Sequence, residues 1–137
     1  MVEIKKKVHF FDCDPADIMF YARIFFFCHA AYEELIHSFN LGYDYWINEE
    51  FVVPIINSSA KYLKPLRPRD ELTIKVSVSQ LRNSSFELSY ECINQKGELC
   101  AEAKTAHIFL DKGKWKKIKI PAVIRSGLEK HLIIDGH

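Results

Sequence analysis

Three carboxylates lie within six residues near the amino end of the chain, just before a stretch with helical periodicity. They are Asp12, Asp14 and Asp17, and Pro15 follows the second. A carboxylate can attack a carbonyl carbon or take a proton from water, and a helix N-terminus can stabilise the negative charge that develops on oxygen. Acidic residues before a helix often only cap it or complement its dipole. The pattern therefore predicts either a catalytic carboxylate or an acidic helix cap.

The helix that follows these carboxylates is predicted over Tyr21 to Ser38, where apolar residues recur at three- and four-residue steps. Phe26, Phe27 and Ala30 widen this apolar stripe almost all round the helix. A helix that is apolar on nearly every face must be enclosed by other structure, so we expect a central helix. Gly42 lies just past its carboxyl end, as expected of a helix stop.

The rest of the chain is predicted to be mostly β-strand, in a single domain spanning residues 1–137. The strict alternation of Leu72, Ile74, Val76 and Val78 with polar residues predicts one buried and one polar face. Long antiparallel strands after one helix indicate an α+β domain. The predicted strands are Glu3 to Phe11, Phe51 to Leu63, Glu71 to Leu81, Ser85 to Asn94 and Glu98 to Asp111, and Pro121 to His131 is predicted as a short terminal helix.

Composition and charge argue against two classes of partner. The formal net charge is only +1, so no global field attracts nucleic acid. No apolar stretch approaches the ~20 residues of a membrane span. Met1 to Lys7 is not followed by an apolar signal-peptide core, so we expect a cytoplasmic protein.

No metal site or disulfide is predicted. The cysteines are widely spaced and form no CxxC pair, so we expect reduced thiols, three of them in the core. The histidines on the predicted helix and strands have no carboxylate or cysteine partner at ligand spacing, so we expect core or surface roles for them. These residues are Cys13, Cys28, Cys92, Cys100, His9, His29, His37 and His107.

The segment Phe11 to Tyr21, with the aromatic-rich helix after it, resembles the signature of the 4-hydroxybenzoyl-CoA thioesterase family of hotdog proteins. In that family an Asp-x-Asp-x-x-Gly turn, a few apolar residues and a Tyr or a His-Asn pair lead into a long central helix. The resemblance covers nearly the whole chain. Its other parts are Val53 to Ile56, Tyr62, Pro65 and Asp70 to Leu72, which are similar to the second strand and its turn, and Ser85 to Phe109, which is similar to the last hairpin.

The resemblance implies a hotdog fold, in which a five- or six-stranded antiparallel sheet wraps around the helix. It also implies a homodimer or homotetramer with active sites at subunit interfaces. The implied activity is hydrolysis of an acyl-CoA, aliphatic or aromatic, to a free acid and CoA. CoA is then part of the substrate, and no metal or redox cofactor is needed.

Individual site residues follow from the same resemblance. Asp14 matches the catalytic carboxylate of the family and would act as nucleophile or general base. The backbone N–H of Tyr21 matches the group that hydrogen-bonds the thioester carbonyl. Asp12 is expected mainly to cap the helix or shape the turn.

Basic residues near a groove mouth are expected to hold the phosphates of CoA. The candidates are Arg82, in a predicted hairpin loop, and Lys64, Arg67 and Arg69, in a proline-rich turn. Arg82 matches a position where members of the family carry basic residues. For each residue singly, a solvated surface charge is the alternative. Ser59 could line the acyl pocket across a dimer interface, although a strand serine more often faces solvent.

Asp17 stands where the family usually has glycine. The backbone there either moves out of a positive-φ conformation or is held in it by a residue that tolerates left-handed geometry better than most. A non-catalytic CoA- or acyl-binding protein is therefore the alternative function. A hotdog dehydratase is disfavoured, because its histidine beside a glycine is absent.

Overall fold

A computed structural model, which describes residues 1–133, contains a five-stranded antiparallel sheet with one long helix packed against it. The strands are β1 (Val2–Lys7), β2 (Phe51–Val52), β3 (Ile55–Tyr62), β4 (Glu71–Leu81), β5 (Ser85–Ile93), β6 (Leu99–Ile108) and β7 (Leu110–Asp111). The sheet order is β1-β4-β5-β6-β3, and β2 and β7 form a separate two-stranded ribbon. The helices are α1 (Ile24–His37) and α2 (Ala122–Glu129), and 3-10 turns cover Phe10–Asp12 and Tyr21–Arg23.

The core lies between α1 and the inner face of the sheet. The predicted alternation along β4 is confirmed, since Leu72, Ile74, Val76 and Val78 are all buried. Each such side chain contributes about 1.5–3 kcal/mol through removal from water. Among the cysteines, Cys28, Cys92 and Cys100 are buried and all four are free thiols, as expected.

The helix is less enclosed than its composition predicts. The face that meets the sheet is buried, but Phe26 is 64% exposed and Glu33 and Glu34 also face solvent. The prediction that other structure encloses the helix on nearly every face is therefore wrong for a single chain, because the sheet covers only one side of the helix. No helix among the described residues is long and apolar enough to cross a membrane.

Strand ends differ from the predictions where backbone donors are missing or diverted. The segment predicted as one strand from Phe51 to Leu63 breaks at Val53 and Pro54, because proline has no N–H for a ladder. The first strand ends at Lys7 rather than Phe11, because the Asp70 N–H, which faces Val8 in the register, donates instead to the Arg67 carbonyl at 3.1 Å, and a 3-10 turn follows.

The last predicted strand and helix also change at their ends. The segment from Glu98 to Asp111 divides into β6 and β7, and β7 pairs with β2. The terminal helix is shorter than predicted, covering Ala122–Glu129, with Pro121 at its N-cap.

Candidate active site

Asp14 lies on a tight turn closed by an antiparallel bridge between Cys13 and Met19. Its N–H donates to the Ile18 carbonyl at 3.0 Å, which fixes the backbone. The Oδ1 atom of Asp14 accepts a hydrogen bond from the Ala16 N–H at 2.9 Å, while no residue in 1–133 donates to Oδ2. The carboxylate is half-buried, with one oxygen held and the other available to a substrate.

Asp17, at the position where the resemblance implies a glycine, has a left-handed backbone conformation. Its φ is 64°, in the left-handed region, and its N–H donates to the Asp14 carbonyl at 2.9 Å. The turn is therefore not moved out of the positive-φ conformation. The substitution instead adds an exposed carboxylate three residues from Asp14.

Asp12 is a buried structural carboxylate, which confirms the expected turn-forming role. It accepts hydrogen bonds from the His9 N–H at 2.8 Å and from the Arg23 Nε at 2.7 Å. The Arg23 guanidinium also lies 4.4 Å from the centroid of the Phe26 ring. Asp12 and Arg23 together tie the turn to the start of the helix.

The Tyr21 N–H lies at the start of the 3-10 turn that leads into α1. The first N–H groups of a helix have no partner within the helix. No acceptor among the described residues bonds this N–H. Tyr21 is 67% exposed in one chain.

A pocket of about 290 Å³ opens beside this helix start. A larger groove of about 710 Å³ runs along β1 and β4, but it is lined largely by charged side chains and does not include the Asp14 turn. The smaller pocket is mainly apolar and adjoins the turn. Its walls are Ile18, Met19, Tyr21, Tyr62, Leu63, Lys64, Pro65 and Leu66.

The predicted CoA-binding residues fall into two places. Lys64, Arg67 and Arg69 lie in the connection between β3 and β4, next to the pocket, and Lys64 forms an ion pair with Glu98. Arg82 lies beyond the other end of the 11-residue strand β4, roughly 33 Å away. One chain therefore does not bring Arg82 together with the other three.

Ser59 does not join the pocket either. It is paired with Lys104 on β6, and both are exposed on the sheet face opposite α1. The neighbouring Ser58 is paired with the buried Thr105 and shares the inner face. The predicted contact of Ser59 with the acyl group has no support within one chain.

One histidine departs from what its spacing indicates, whereas His107 has the core role expected of it. His29 does have a carboxylate partner, because its Nδ1 lies 3.0 Å from the Glu33 Oε2, one helical turn on. His107 is fully buried, with Nε2 2.7 Å from the Thr105 hydroxyl, and burial lowers its pKa to about 3. Residues 1–133 contain no cluster of three or more His, Cys, Asp or Glu side chains suited to a metal ion.

Sequence reasoning gave no role to two residues that support the site. Tyr62, in the segment that resembles the family, donates a hydrogen bond from its hydroxyl to the Tyr21 carbonyl. Arg23 neutralises the buried Asp12. Neither contact follows from local spacing, although the presence of Tyr62 in the family-like segment was a signal.

The model of the thioesterase-like superfamily matches residues 8–128. The chain belongs to this superfamily. A 1,4-dihydroxy-2-naphthoyl-CoA hydrolase from Thermosynechococcus vestitus is 33% identical over 122 residues, which cover 87% of this chain and 82% of that protein. A protein of the same name from Nostoc punctiforme is 29% identical over 125 residues, covering 90% and 84%.

Solved structures show the same fold. The 1,4-dihydroxy-2-naphthoyl-CoA thioesterase from Synechocystis aligns with a TM-score of 0.85 at 22% identity, covering 92% of this chain and 93% of that one. A gentisyl-coenzyme A thioesterase aligns with a TM-score of 0.82 at 22% identity, covering 93% and 99%. The predicted α+β hotdog fold and the predicted membership of a thioesterase family are confirmed.

Proposed function

We propose that this acyl-CoA thioesterase acts on aromatic acyl groups, with 1,4-dihydroxy-2-naphthoyl-CoA as the first candidate substrate. The observation that carries the proposal is the helix start beside the apolar pocket: within residues 1–133 the Tyr21 N–H there has no acceptor, and the turn that carries Asp14, with one unbonded carboxylate oxygen, ends at Met19, two residues before Tyr21. The names of the relatives support an aromatic acyl group. The rings of Tyr21 and Tyr62 in the pocket wall suit a flat acyl group.

The proposed reaction uses one carboxylate and one backbone donor. Asp14 either attacks the thioester carbon, forming an anhydride and expelling the CoA thiolate, or takes a proton from the water that attacks. In the first route, water then hydrolyses the anhydride and restores the carboxylate. The Tyr21 N–H donates to the carbonyl oxygen as it becomes negative, a kind of contact typically worth about 100- to 1,000-fold in rate.

We propose that CoA is held by basic residues from two chains. Lys64 lines the pocket, and Arg67 and Arg69 follow it in the connection between β3 and β4. Because Arg82 lies roughly 33 Å from that turn, it is proposed to serve the site of a second subunit. We propose a homodimer or homotetramer with active sites at subunit interfaces, located in the cytoplasm.

Turnover of a set of thioesters tests the proposal. The set is 1,4-dihydroxy-2-naphthoyl-CoA, benzoyl-CoA and two aliphatic acyl-CoAs of short and long chain, with release of the CoA thiol as the readout. We expect the highest kcat/KM for the naphthoyl thioester. Preference for an aliphatic thioester would contradict the aromatic assignment. Binding without thiol release for every thioester would favour a non-catalytic CoA-binding protein.

A single turnover in isotope-labelled water separates the two routes. If Asp14 attacks directly and water then opens the anhydride at the Asp14 carbonyl carbon, the first acid released carries an oxygen from the carboxylate. If Asp14 acts as a general base, that oxygen comes from the labelled solvent.

A further inference from the structure

Tyr62, at the end of β3, joins the edge of the sheet to the start of the helix. Its hydroxyl donates to the Tyr21 carbonyl, and its ring lines the same pocket as Tyr21. The pKa of Tyr62 is raised above its ordinary value, chiefly by desolvation. The hydroxyl therefore remains a proton donor at neutral pH.

Three hydrogen bonds fix the backbone on both sides of the Tyr21 N–H. The Met19 N–H donates to the Leu66 carbonyl at 2.6 Å, and the Phe20 N–H donates to the Asp12 carbonyl at 2.9 Å. The third is the bond from Tyr62 to the Tyr21 carbonyl. Together they hold the backbone from Met19 to Tyr21 while the Tyr21 N–H stays available to a ligand.

The backbone next to Tyr62 is held in place by hydrogen bonds to β6. The N–H groups of Leu63 and Lys64 both donate to the carbonyl of the buried Cys100, at 2.9 and 3.1 Å, which fixes the chain after Tyr62 onto β6. Tyr21, by contrast, begins a three-residue 3-10 turn, a short element with poorer hydrogen-bond geometry. A catalytic donor needs support of this kind, because misplacement by about 1 Å can cost about 100-fold in rate.

We propose that Tyr62 is a positioning residue for thioester hydrolysis. Its hydroxyl holds the Tyr21 peptide so that the Tyr21 N–H meets the carbonyl oxygen of the substrate, and its ring bounds the acyl pocket. This inference rests on the proposed function, since it gives Tyr62 a part in that same reaction.

Removal of the hydroxyl alone tests the proposal. Tyr62→Phe should lower kcat about three- to tenfold, the effect of one lost hydrogen bond, while KM stays within about twofold. The matched control is Tyr43→Phe. Tyr43 is 47% exposed against 46% for Tyr62, and its hydroxyl bonds no other group in the described part of the chain. The control should behave as wild type, and both variants should keep the wild-type melting temperature.

Spectroscopy separates positioning from a purely structural role. In an Asp14→Asn background, which should leave the thioester intact, adding Tyr62→Phe should raise the C=O stretching frequency of the bound substrate, because its hydrogen bond weakens. A kcat equal to that of Tyr43→Phe, an unchanged C=O frequency, or a loss confined to melting temperature would overturn the proposal. A wild-type chain that releases no thiol from any thioester would overturn the proposed function, and this inference with it.

Discussion

At Asp17, the residue type and the backbone conformation are in conflict. A φ of 64° is natural for glycine and costs a residue with a Cβ roughly 1 kcal/mol, although aspartate tolerates it better than most. The positive φ turns the chain after Asp17 so that the Ile18 carbonyl can accept the hydrogen bond from the Asp14 N–H. The shape of the Asp14 turn thus depends on a residue that carries backbone strain.

We predict that Asp17→Ala lowers the free energy of unfolding by about 1 kcal/mol, whereas Asp17→Gly leaves it within about 0.5 kcal/mol of wild type. Alanine keeps the Cβ but loses the polar side chain that makes left-handed geometry tolerable. Urea denaturation measures the difference. Ala16→Gly, at the adjacent exposed position, is the control for a general effect of glycine in this turn. Equal free energies of unfolding for the alanine and glycine variants would contradict the proposed backbone strain at Asp17.

The candidate residues differ in how far the sequence could predict them. The Asp14 turn and the Tyr21 helix start are local in sequence, so a motif places both. The hydrogen bond between Tyr62 and Tyr21 joins residues 41 positions apart. The distance between Arg82 and the Lys64 turn depends on the length of a whole strand. Both the hydrogen bond and the distance depend on the folded structure, so local sequence patterns cannot predict them.

Among the elements, β4 shows why strands with one buried face are easy to predict. Its alternation matches the burial of every second residue, and its bounds agree with the prediction from Glu71 to Leu81. The sequence pattern predicts the structure less well where two elements meet. Pro54 interrupts a continuous apolar run, and α1 has an exposed Phe26 because the sheet covers only one of its sides.

A buried row of hydrogen-bonded polar side chains on β5 and β6 affects how the stability of the protein depends on pH. The hydroxyl of Tyr90 lies 2.8 Å from that of Thr105, which contacts His107 in turn. The His107 ring stacks on Phe86 with centroids 4.6 Å apart, and no described residue partners its Nδ1. Burial lowers the pKa of His107 from 6.5 to about 3. The folded protein thus holds His107 neutral over a pH range in which the unfolded chain binds a proton.

The free energy of unfolding should therefore fall as pH drops below about 6.5, and continue to fall toward pH 3. Between pH 6 and 4.5 this one group should account for a loss of about 2 kcal/mol. His107→Gln should be less stable at pH 7 but show a shallower loss over this interval. His37→Gln, an exposed position on α1, is the control. Denaturant titration at both pH values measures the slopes, and equal slopes for wild type and His107→Gln would contradict the assignment.

In the whole molecule, several apolar side chains face solvent in one chain. Phe10, Phe11 and Phe26 are exposed near the candidate site, and β3 forms an edge of the sheet. Exposed edges and apolar patches of this kind are normally covered by another chain. A second subunit that places its Arg82 near the Lys64 turn would complete the proposed CoA site. The proposed oligomer would explain both the solvent-exposed side of α1 and the separation of the proposed CoA-binding residues.

We predict that light scattering gives a mass that is a multiple of 16.0 kDa, a dimer or a tetramer, at micromolar concentration. Arg82→Ala should keep that mass and weaken CoA binding in calorimetry, because among the described residues the Arg82 guanidinium donates only to the side chain of the exposed Gln80 and holds no buried group. A monomer alone would contradict the shared site, and unchanged CoA affinity would remove Arg82 from it.

The most direct test of the account is the rate of thiol release by Asp14→Asn, compared with Asp17→Asn as a control in the same turn. Asparagine keeps the shape and an acceptor oxygen for the Ala16 N–H, but it cannot attack a thioester or take a proton from water. We expect the melting temperature to stay at the wild-type value and kcat to fall about 100- to 10,000-fold in Asp14→Asn, with no such loss in the control. Near-wild-type turnover in Asp14→Asn would contradict the assignment of Asp14 as the catalytic carboxylate.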